Sequence, residues 1–265
     1  MNETVPSVVT VSSQDHKSAP RRIAVRRRPA APSGETRPDV IWMGGFMSDM
    51  QSGKALAIDR WAGEHGRGFV RFDYSGHGES SGDFVDGTIG QWLDDALAVV
   101  RASTDGPQII VGSSMGAWIA MLVARALAAA GETDRLAGAV LIAPAIDFTE
   151  TLMWDRLTPD IREQIESDGV WYRPSPYGET PYPITRALIE DGRRHLLLGS
   201  NVEAHCPVHI LQGMQDSDVP WQHALTLVEH LAADPVSITL VRDGDHRLSR
   251  DEDLVRLIAA IEQIA

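Results

Sequence analysis

From residue 38 to the C-terminus, short apolar runs alternate with longer helix-like stretches, and this alternation limits the possible folds most strongly. Six of the runs are predicted strands, at 40–43, 68–72, 108–111, 139–142, 208–211 and 237–241. Five of the stretches are predicted helices, at 53–64, 88–101, 115–130, 221–232 and 251–264. Parallel strands need helical crossovers of this kind. The sequence therefore predicts an α/β fold with a mostly parallel, doubly wound sheet.

The chain of 265 residues has a length at which α/β architectures form one domain, so we expect a single domain over 20–265. Residues 1–19 show no lasting period and predict a loose N-terminus. In the next segment, arginines alternate with Ile23 and Val25, which favours an exposed edge strand over a transit peptide or a nucleic-acid patch. From about 147 to 198 no good buried strand is evident, while aromatic residues and prolines accumulate. This segment predicts an inserted helical cap.

The overall charge and the cysteine count exclude several classes of function. The net charge of -13 opposes binding to nucleic acid and to anionic membranes, so we expect a small-molecule substrate. Cys206 is the single cysteine, which excludes an intramolecular disulfide and a thiolate zinc cluster. No metal or cofactor is predicted. The sequence shows no secretory h-region in its first thirty residues and no run that could span a bilayer, so a cytoplasmic location without stable membrane insertion is expected.

A candidate nucleophile lies between a predicted strand and a predicted helix. The strand ending Ile109, Ile110, Val111 runs into a G-x-S-x-G sequence centred on Ser114, and a helix follows. Small residues two positions before and after the serine suit a tight strand-to-helix turn that exposes the hydroxyl. A Gly/Ser loop without chemistry is the alternative. The context favours Ser114 as a nucleophile.

A serine needs a base, and the base needs an acid to fix its tautomer. Of the nine histidines, His246 lies in the loop between the last strand and the last helix, where this architecture carries its base. The acid should follow the preceding strand, where Asp216 and Asp218 are both in range. Asp218 is predicted to begin a helix, since acidic residues favour the first turn. The arrangement G-x-x-D-x-x-V-P around Asp216 resembles the acid loop of α/β-hydrolases, and this resemblance implies the triad Ser114, Asp216 and His246.

Two backbone N–H groups are candidates for an oxyanion hole, which stabilises the charge that develops on the substrate carbonyl. Met115 directly follows the nucleophile, and Phe46 follows the glycine pair at the end of an early strand, with Met47 as its alternative. For substrate binding we predict Met47, together with residues of the cap, which is rich in large apolar side chains. These are Phe148, Leu152, Met153, Trp154, Trp171 and Tyr172, with Tyr177 and Tyr182 nearby. The same cap side chains could instead hold the cap on the core.

Four motifs resemble the α/β-hydrolase superfamily from residue 40 to the end: FDYSGHGESSG, GSSMGAW, GMQDSDVPW and DGDHRLS. Within it, they are similar to the palmitoyl-protein thioesterase and acyl-glucuronide esterase branch, although Ala117 stands where that branch has a second glycine. The resemblance implies hydrolysis of esters or thioesters, and it supports Asp216 as the acid. It also implies that the turn at 73–80 is structural, so that His77 is not the base.

Taken together, the residues and the resemblance predict a serine hydrolase, of carboxylesterase or thioesterase type, that works through an acyl-enzyme and without a cofactor. Two alternatives remain open. One is a serine peptidase of the same fold, and the other is a non-catalytic binding protein built on it. The sequence does not indicate the acyl group, the leaving group or the oligomeric state.

Overall fold

A computed structural model describes residues 4–12, 20–32, 37–103, 106–174 and 181–264. Ten strands lie in these ranges: β1 Val5–Val11, β2 Arg21–Arg28, β3 Asp39–Met43, β4 Phe69–Phe72, β5 Gln108–Ser113, β6 Leu136–Ile142, β7 Val170–Arg173, β8 Tyr182–Thr185, β9 Val208–Gly213 and β10 Val236–Val241. Eight of them form one sheet, in the order β1-β2-β4-β3-β5-β6-β9-β10. The pairs from β4 to β10 are parallel, whereas β2 pairs antiparallel with both β1 and β4.

Seven α-helices are found in the described ranges: α1 Gly53–Glu64, α2 Ile89–Ser103, α3 Met115–Ala129, α4 Pro159–Asp168, α5 Arg186–Gly192, α6 Trp221–His230 and α7 Asp251–Ile264. Two buried clusters, one on each face of the sheet, divide the core. The cluster with α1 and α7 contains Trp42, Ile58 and Leu257, and the cluster with α2 and α3 contains Trp92 and Trp118. The predicted doubly wound α/β fold is confirmed.

The N-terminal segment differs from the prediction of a loose terminus, because Val5–Val11 form a strand that pairs along its whole length with β2. This valine-rich segment suits a strand, and Val11 is buried. The prediction that residues 21–28 form an edge strand is therefore wrong. β2 lies between β1 and β4. Two of its arginines form ion pairs, with Arg21 Nε 2.8 Å from the Asp95 carboxylate and Arg28 Nε 2.7 Å from the Asp59 carboxylate.

The segment at 147–198 holds more than helices. It contains a single π-helical turn at Thr149–Met153, α4, α5 and an antiparallel hairpin of β7 and β8. The four-residue strands of the hairpin are mostly half-buried, so they lack the apolar run that marks a core strand. Tyr177 lies outside the described residues. No helix in the described part of the chain is long and apolar enough to cross a membrane.

Candidate active site

Ser114 occupies a strained turn between β5 and α3, with φ +55° and ψ -118°. Few non-glycine residues adopt such a conformation. The glycines around it are needed because strand and helix nearly touch. A Cβ on Gly112 would lie 2.5 Å from the Gly116 carbonyl oxygen, and a Cβ on Gly116 would lie 2.1 Å from that of Met43. The backbone at this position is thus built to present one side chain at the end of the sheet.

His246 and Asp216 are hydrogen-bonded, with 2.8 Å between His246 Nδ1 and Asp216 Oδ2. The Asp216 side chain is fully buried. Its Oδ1 accepts the backbone N–H groups of Asp218 at 2.9 Å and Val219 at 2.8 Å. Gln212, which no sequence motif singled out, donates from Nε2 to Oδ2 at 3.3 Å. These donors stabilise a buried carboxylate that has no Lys or Arg partner among the described residues.

Asp218 does not begin a helix, because Pro220 is the N-cap of α6. The prediction for Asp218 is therefore wrong. Its side chain instead lines the cavity in front of His246. One ligand atom from each of Asp216, Asp218 and His246 lies within 4.8 Å of the others, a spacing that a metal ion could use. The Asp216 oxygens are already occupied by N–H donors and the imidazole, so this cluster fits an acid and base pair better than a cation site.

The predicted oxyanion donors belong to two backbone segments that meet at Ser114. Met115 is the first residue of α3, so its N–H has no acceptor within the helix. The loop that carries Phe46 and Met47 packs against the elbow, since a Cβ on Gly45 would lie 3.5 Å from Ser114 Cβ. Met115, Phe46 and Met47 all line the same cavity as Ser114 and His246. This arrangement can direct two N–H groups at an oxygen bound beside the serine.

The ring of Phe46 is held in a cluster of aromatic side chains from the core and the cap. Ring centroids lie 4.8 Å away for Phe84, 5.7 Å for Phe148, 6.0 Å for Trp92 and 6.1 Å for Tyr182. All four contacts are edge-to-face, a favourable geometry for aromatic pairs. The cluster therefore fixes the loop that carries a candidate oxyanion donor.

The turn at 73–80 holds the loop after β3 in place. Asp73 accepts the backbone N–H of Met50 at 2.6 Å and that of Glu79 at 2.8 Å, which links the turn to the loop after β3. His77 is buried, and its Nδ1 lies 3.2 Å from the Ser75 carbonyl oxygen. Burial lowers the pKa of His77 to about 4. His77 packs with the rings of Tyr74, Phe84 and Trp92, which fits the structural role that the resemblance implies.

Three of the other histidines have local partners. His65 Nδ1 lies 2.8 Å from the Trp61 carbonyl oxygen, and His230 Nδ1 lies 2.8 Å from that of Thr226. His209 contacts the Thr239 hydroxyl at 3.0 Å. His16 lies outside the described residues.

A cavity of about 930 Å³ opens in front of Ser114 and has two sides. The cap side, formed by lining residues from 147–198, is largely apolar and includes Phe148, Leu152, Met153, Leu157, Ile161, Trp171 and Ile184. The α1 side is formed by the end of β3, the start of α1 and the loop after His246. It is polar and includes Trp42, Ser48, Ser52, Gly53, Lys54, Arg247 and Ser249.

Two of the predicted substrate-binding residues do not line this cavity. Met47 and Trp171 line the cavity, but Trp154 and Tyr172 are not among its described lining residues. Successive side chains of a strand point to opposite faces, so Tyr172 faces away from Trp171 and is 56% exposed. Trp154 instead stacks with two guanidinium groups, at 5.4 Å from Arg162 and 4.9 Å from Arg193.

Lys54 is a cavity residue that the sequence analysis missed. Its Nζ donates a hydrogen bond to the carbonyl oxygen of Arg247, the residue after His246. Burial lowers the pKa of Lys54 to about 8. The contact joins residues 193 positions apart, so nothing local in the sequence could have signalled it.

Comparison with known proteins places these features in a family. Residues 35–166 match the family described as serine aminopeptidase, S33. The palmitoyl-protein thioesterase ABHD10, mitochondrial, of Bos taurus is 34% identical over 228 residues, which cover 86% of this chain and 72% of that protein.

Solved structures agree over nearly the whole chain. A crystal structure from Agrobacterium vitis S4 has 46% identity and a TM-score of 0.93, with 98% of each chain covered. The alpha/beta hydrolase domain-containing protein 10 from mouse has 31% identity and a TM-score of 0.82, with 97% of this chain and 98% of that chain covered.

Proposed function

The chain belongs to the α/β-hydrolase family that contains the ABHD10 thioesterases, and from this premise we propose that it hydrolyses carboxylic esters or thioesters through an acyl-enzyme on Ser114. The hydrogen bond of 2.8 Å between Asp216 and His246 carries the proposal. Both the imidazole and the elbow serine line one cavity. An imidazole oriented by a carboxylate can activate a serine hydroxyl that it reaches within the same cavity.

The proposed reaction has two steps. In the first, Ser114 Oγ attacks the carbonyl carbon while His246 Nε2 takes its proton, and Asp216 stabilises the imidazolium through Nδ1–H. The N–H groups of Met115 and Phe46 bind the oxyanion. The intermediate collapses as His246 gives the proton to the departing oxygen or sulfur. In the second step, water replaces the serine by the same route and releases the acid.

We propose that the acyl group binds on the cap side of the cavity. Seven large apolar side chains line that side, among them Trp171 and Phe148. Burial of an alkyl chain there is worth about 0.8 kcal/mol per CH₂. A fatty or aromatic acyl group suits this surface better than a polar one.

An aminopeptidase is the second candidate, because the family description matched by residues 35–166 names one. Recognition of a peptide α-ammonium group calls for a carboxylate in the site. Asp218 is the one carboxylate among the described lining residues, beside four cations: Lys54, Arg156, Arg173 and Arg247. This charge balance disfavours a cationic substrate and favours the ester or thioester proposal.

Ser114→Ala tests the proposed nucleophile, with Ser113→Ala as the matched control. Both serines line the cavity, but Ser113 is the last residue of β5 and lies before the elbow. Turnover of p-nitrophenyl butyrate should fall by about 10⁴-fold or more in Ser114→Ala and should stay within about tenfold of wild type in Ser113→Ala. Normal turnover by Ser114→Ala would overturn the proposal.

A fluorophosphonate probe separates an enzyme from a binding protein on the same fold. An activated serine reacts with the probe, and Ser114 should be the labelled residue in the wild type. Absence of labelling, together with absence of turnover over a panel of esters and thioesters, would favour the non-catalytic alternative.

We also propose a cytoplasmic location, supported by the single cysteine. Cys206 is a buried free thiol, and burial raises its pKa to about 12. Such a thiol is unreactive and suits a reducing compartment. The ABHD10 relatives are named mitochondrial, so fractionation of cells that express the full chain is the test.

A further inference from the structure

Two buried polar atoms on the α1 side of the cavity have no hydrogen-bond partner among the described residues. They are Nε1 of Trp42 and Oγ of Ser52. Trp42 is 1% exposed, and both residues belong to the cavity wall. An indole N–H can only donate, and a hydroxyl can also donate. The wall therefore offers two unused donors to a hydrogen-bond acceptor.

Lys54 adds a cation beside these donors. Its ammonium group has three N–H bonds, and the Arg247 carbonyl oxygen is a neutral acceptor for one of them. In the described part of the chain no carboxylate lies within 4.0 Å of Lys54 Nζ. Two carboxylates, Asp245 and Asp253, raise the pKa of Lys54 through their charge, but both have other partners. Asp245 accepts the N–H groups of Arg247 and Leu248, and Asp253 pairs with Arg250 and Arg256.

The N-terminus of α1 also carries positive electrostatic potential. Ser52 is its N-cap but makes no side-chain capping bond, and no acidic residue lies in the first turn. The helix has 12 residues, so its first N–H groups and its dipole place positive potential at this end. A Cβ on Gly53 would meet nothing within 4 Å, so there is open space next to the helix terminus.

We propose that Trp42, Ser52, Lys54 and the first turn of α1 form a subsite for an oxyanion, a carboxylate or phosphate, carried by the leaving group of the substrate. The inference rests on the proposed function, because the leaving group is defined by His246. Lys54 contacts the residue that directly follows His246, which protonates the departing atom. Two cations of the described lining, Lys54 and Arg247, lie on the α1 side, where none of the described lining residues is a carboxylate, and this charge matches an anionic leaving group.

Matched thioesters test the subsite. The substrates are butyryl thioesters of mercaptopropionate, of neutral mercaptopropanol and of mercaptoethyl phosphate. The wild type should favour at least one anionic thioester over the neutral one by about tenfold in kcat/KM, since charge-assisted hydrogen bonds have about this worth. The larger preference, for carboxylate or for phosphate, identifies the oxyanion. A preference for neither overturns the inference.

Variants assign the preference to the subsite. Lys54→Met should bring the ratio of anionic to neutral kcat/KM close to one, and Lys54→Arg should restore part of it. Arg194→Met is the charge-matched control, because the Arg194 side chain is 73% exposed and Arg194 is not among the described lining residues. Its ratio should equal that of the wild type. If Lys54→Met lowers both substrates equally, Lys54 only positions the histidine loop and the subsite is refuted.

Ser52→Ala separates a binding role from a structural one. Removing a buried hydroxyl that has no partner should leave the melting temperature equal to or above that of the wild type. The same change should lower the preference for the anionic thioester by about threefold. A lower melting temperature with an unchanged preference would contradict the subsite. Failure of the inference is distinct from failure of the proposed function, which normal turnover by Ser114→Ala, or absence of both labelling and turnover in the wild type, would show.

Discussion

Replacement of Asp216 by asparagine exchanges one oxygen of a buried carboxylate for an NH₂ group and hardly changes its shape. Oδ1 accepts two backbone N–H groups, at 2.9 and 2.8 Å, so an NH₂ at that position would face two donors. At Oδ2 the NH₂ would face a single protein N–H donor, that of Gln212 at 3.3 Å, so it takes the place of Oδ2, 2.8 Å from His246 Nδ1. Since an NH₂ group only donates, Nδ1 becomes an acceptor and the imidazole proton moves to Nε2.

In that tautomer His246 cannot take the proton of Ser114. The expected loss in kcat is about 10⁴-fold, as for the equivalent change in a serine protease, which corresponds to about 5 kcal/mol of transition-state stabilisation. Steady-state hydrolysis of p-nitrophenyl butyrate measures it. Asp218→Asn is the matched control. It removes a neighbouring carboxylate, and its kcat should stay within about tenfold of wild type.

Two results would refute this reasoning. One is an Asp216→Asn enzyme that keeps more than about a tenth of wild-type kcat. The other is an Asp218→Asn enzyme that loses as much as the Asp216 variant. Thermal unfolding of both variants serves as a check that each protein is folded, because Asp216 is buried.

Three further predictions concern the elbow, the cap and the supporting turn. Gly116→Ala places a Cβ 2.1 Å from a backbone oxygen of β3 and should lower the free energy of unfolding by about 1–3 kcal/mol in urea titrations, whereas Gly199→Ala, which has open space, should change it by less than about 0.5 kcal/mol. Trp171→Ala should shift the acyl preference in a series of p-nitrophenyl esters to longer chains, and the exposed Tyr172→Ala should not; equal shifts would count against the cap assignment. Burial lowers the pKa of His77 in the folded state, so the protein must release or exclude a proton that the unfolded chain binds below about pH 6.5. The free energy of unfolding should therefore fall by about 3 kcal/mol as the pH is lowered from above 6.5 to 4. His77→Phe should remove that part of the difference between unfolding free energies at pH 7 and pH 4, and an unchanged difference would contradict it.

The parts of the site that are local in sequence could be predicted. The elbow needs small residues two positions before and after Ser114, so a short sequence motif is enough to predict it. Asp216 and His246 each follow a strand that the apolar runs identify, and the distinction from Asp218 could be drawn from the motif. The bounds of α1 and α7 agree with the predicted ones, 53–64 and 251–264.

The parts that depend on distant contacts could not be predicted. The hairpin of β7 and β8 has only four residues per strand, too few for a period of two to stand out, so Trp171 and Tyr172 looked equivalent. The large apolar side chain of Trp154 suggested substrate binding, but its ring packs against two arginines from other parts of the cap. The position of β2 inside the sheet depends on β1, whose pairing is set by three-dimensional contacts rather than by its own pattern.

The exposed strand β1 affects the self-association of this protein at high concentration. It forms the antiparallel margin of the main sheet, with Val5 56% and Val8 51% exposed. Such a margin can pair with a strand of another molecule, and Pro6 lacks a backbone N–H donor. Because β1 lies four strands from β5, about 19 Å away, changes at this margin can tune self-association without reaching Ser114.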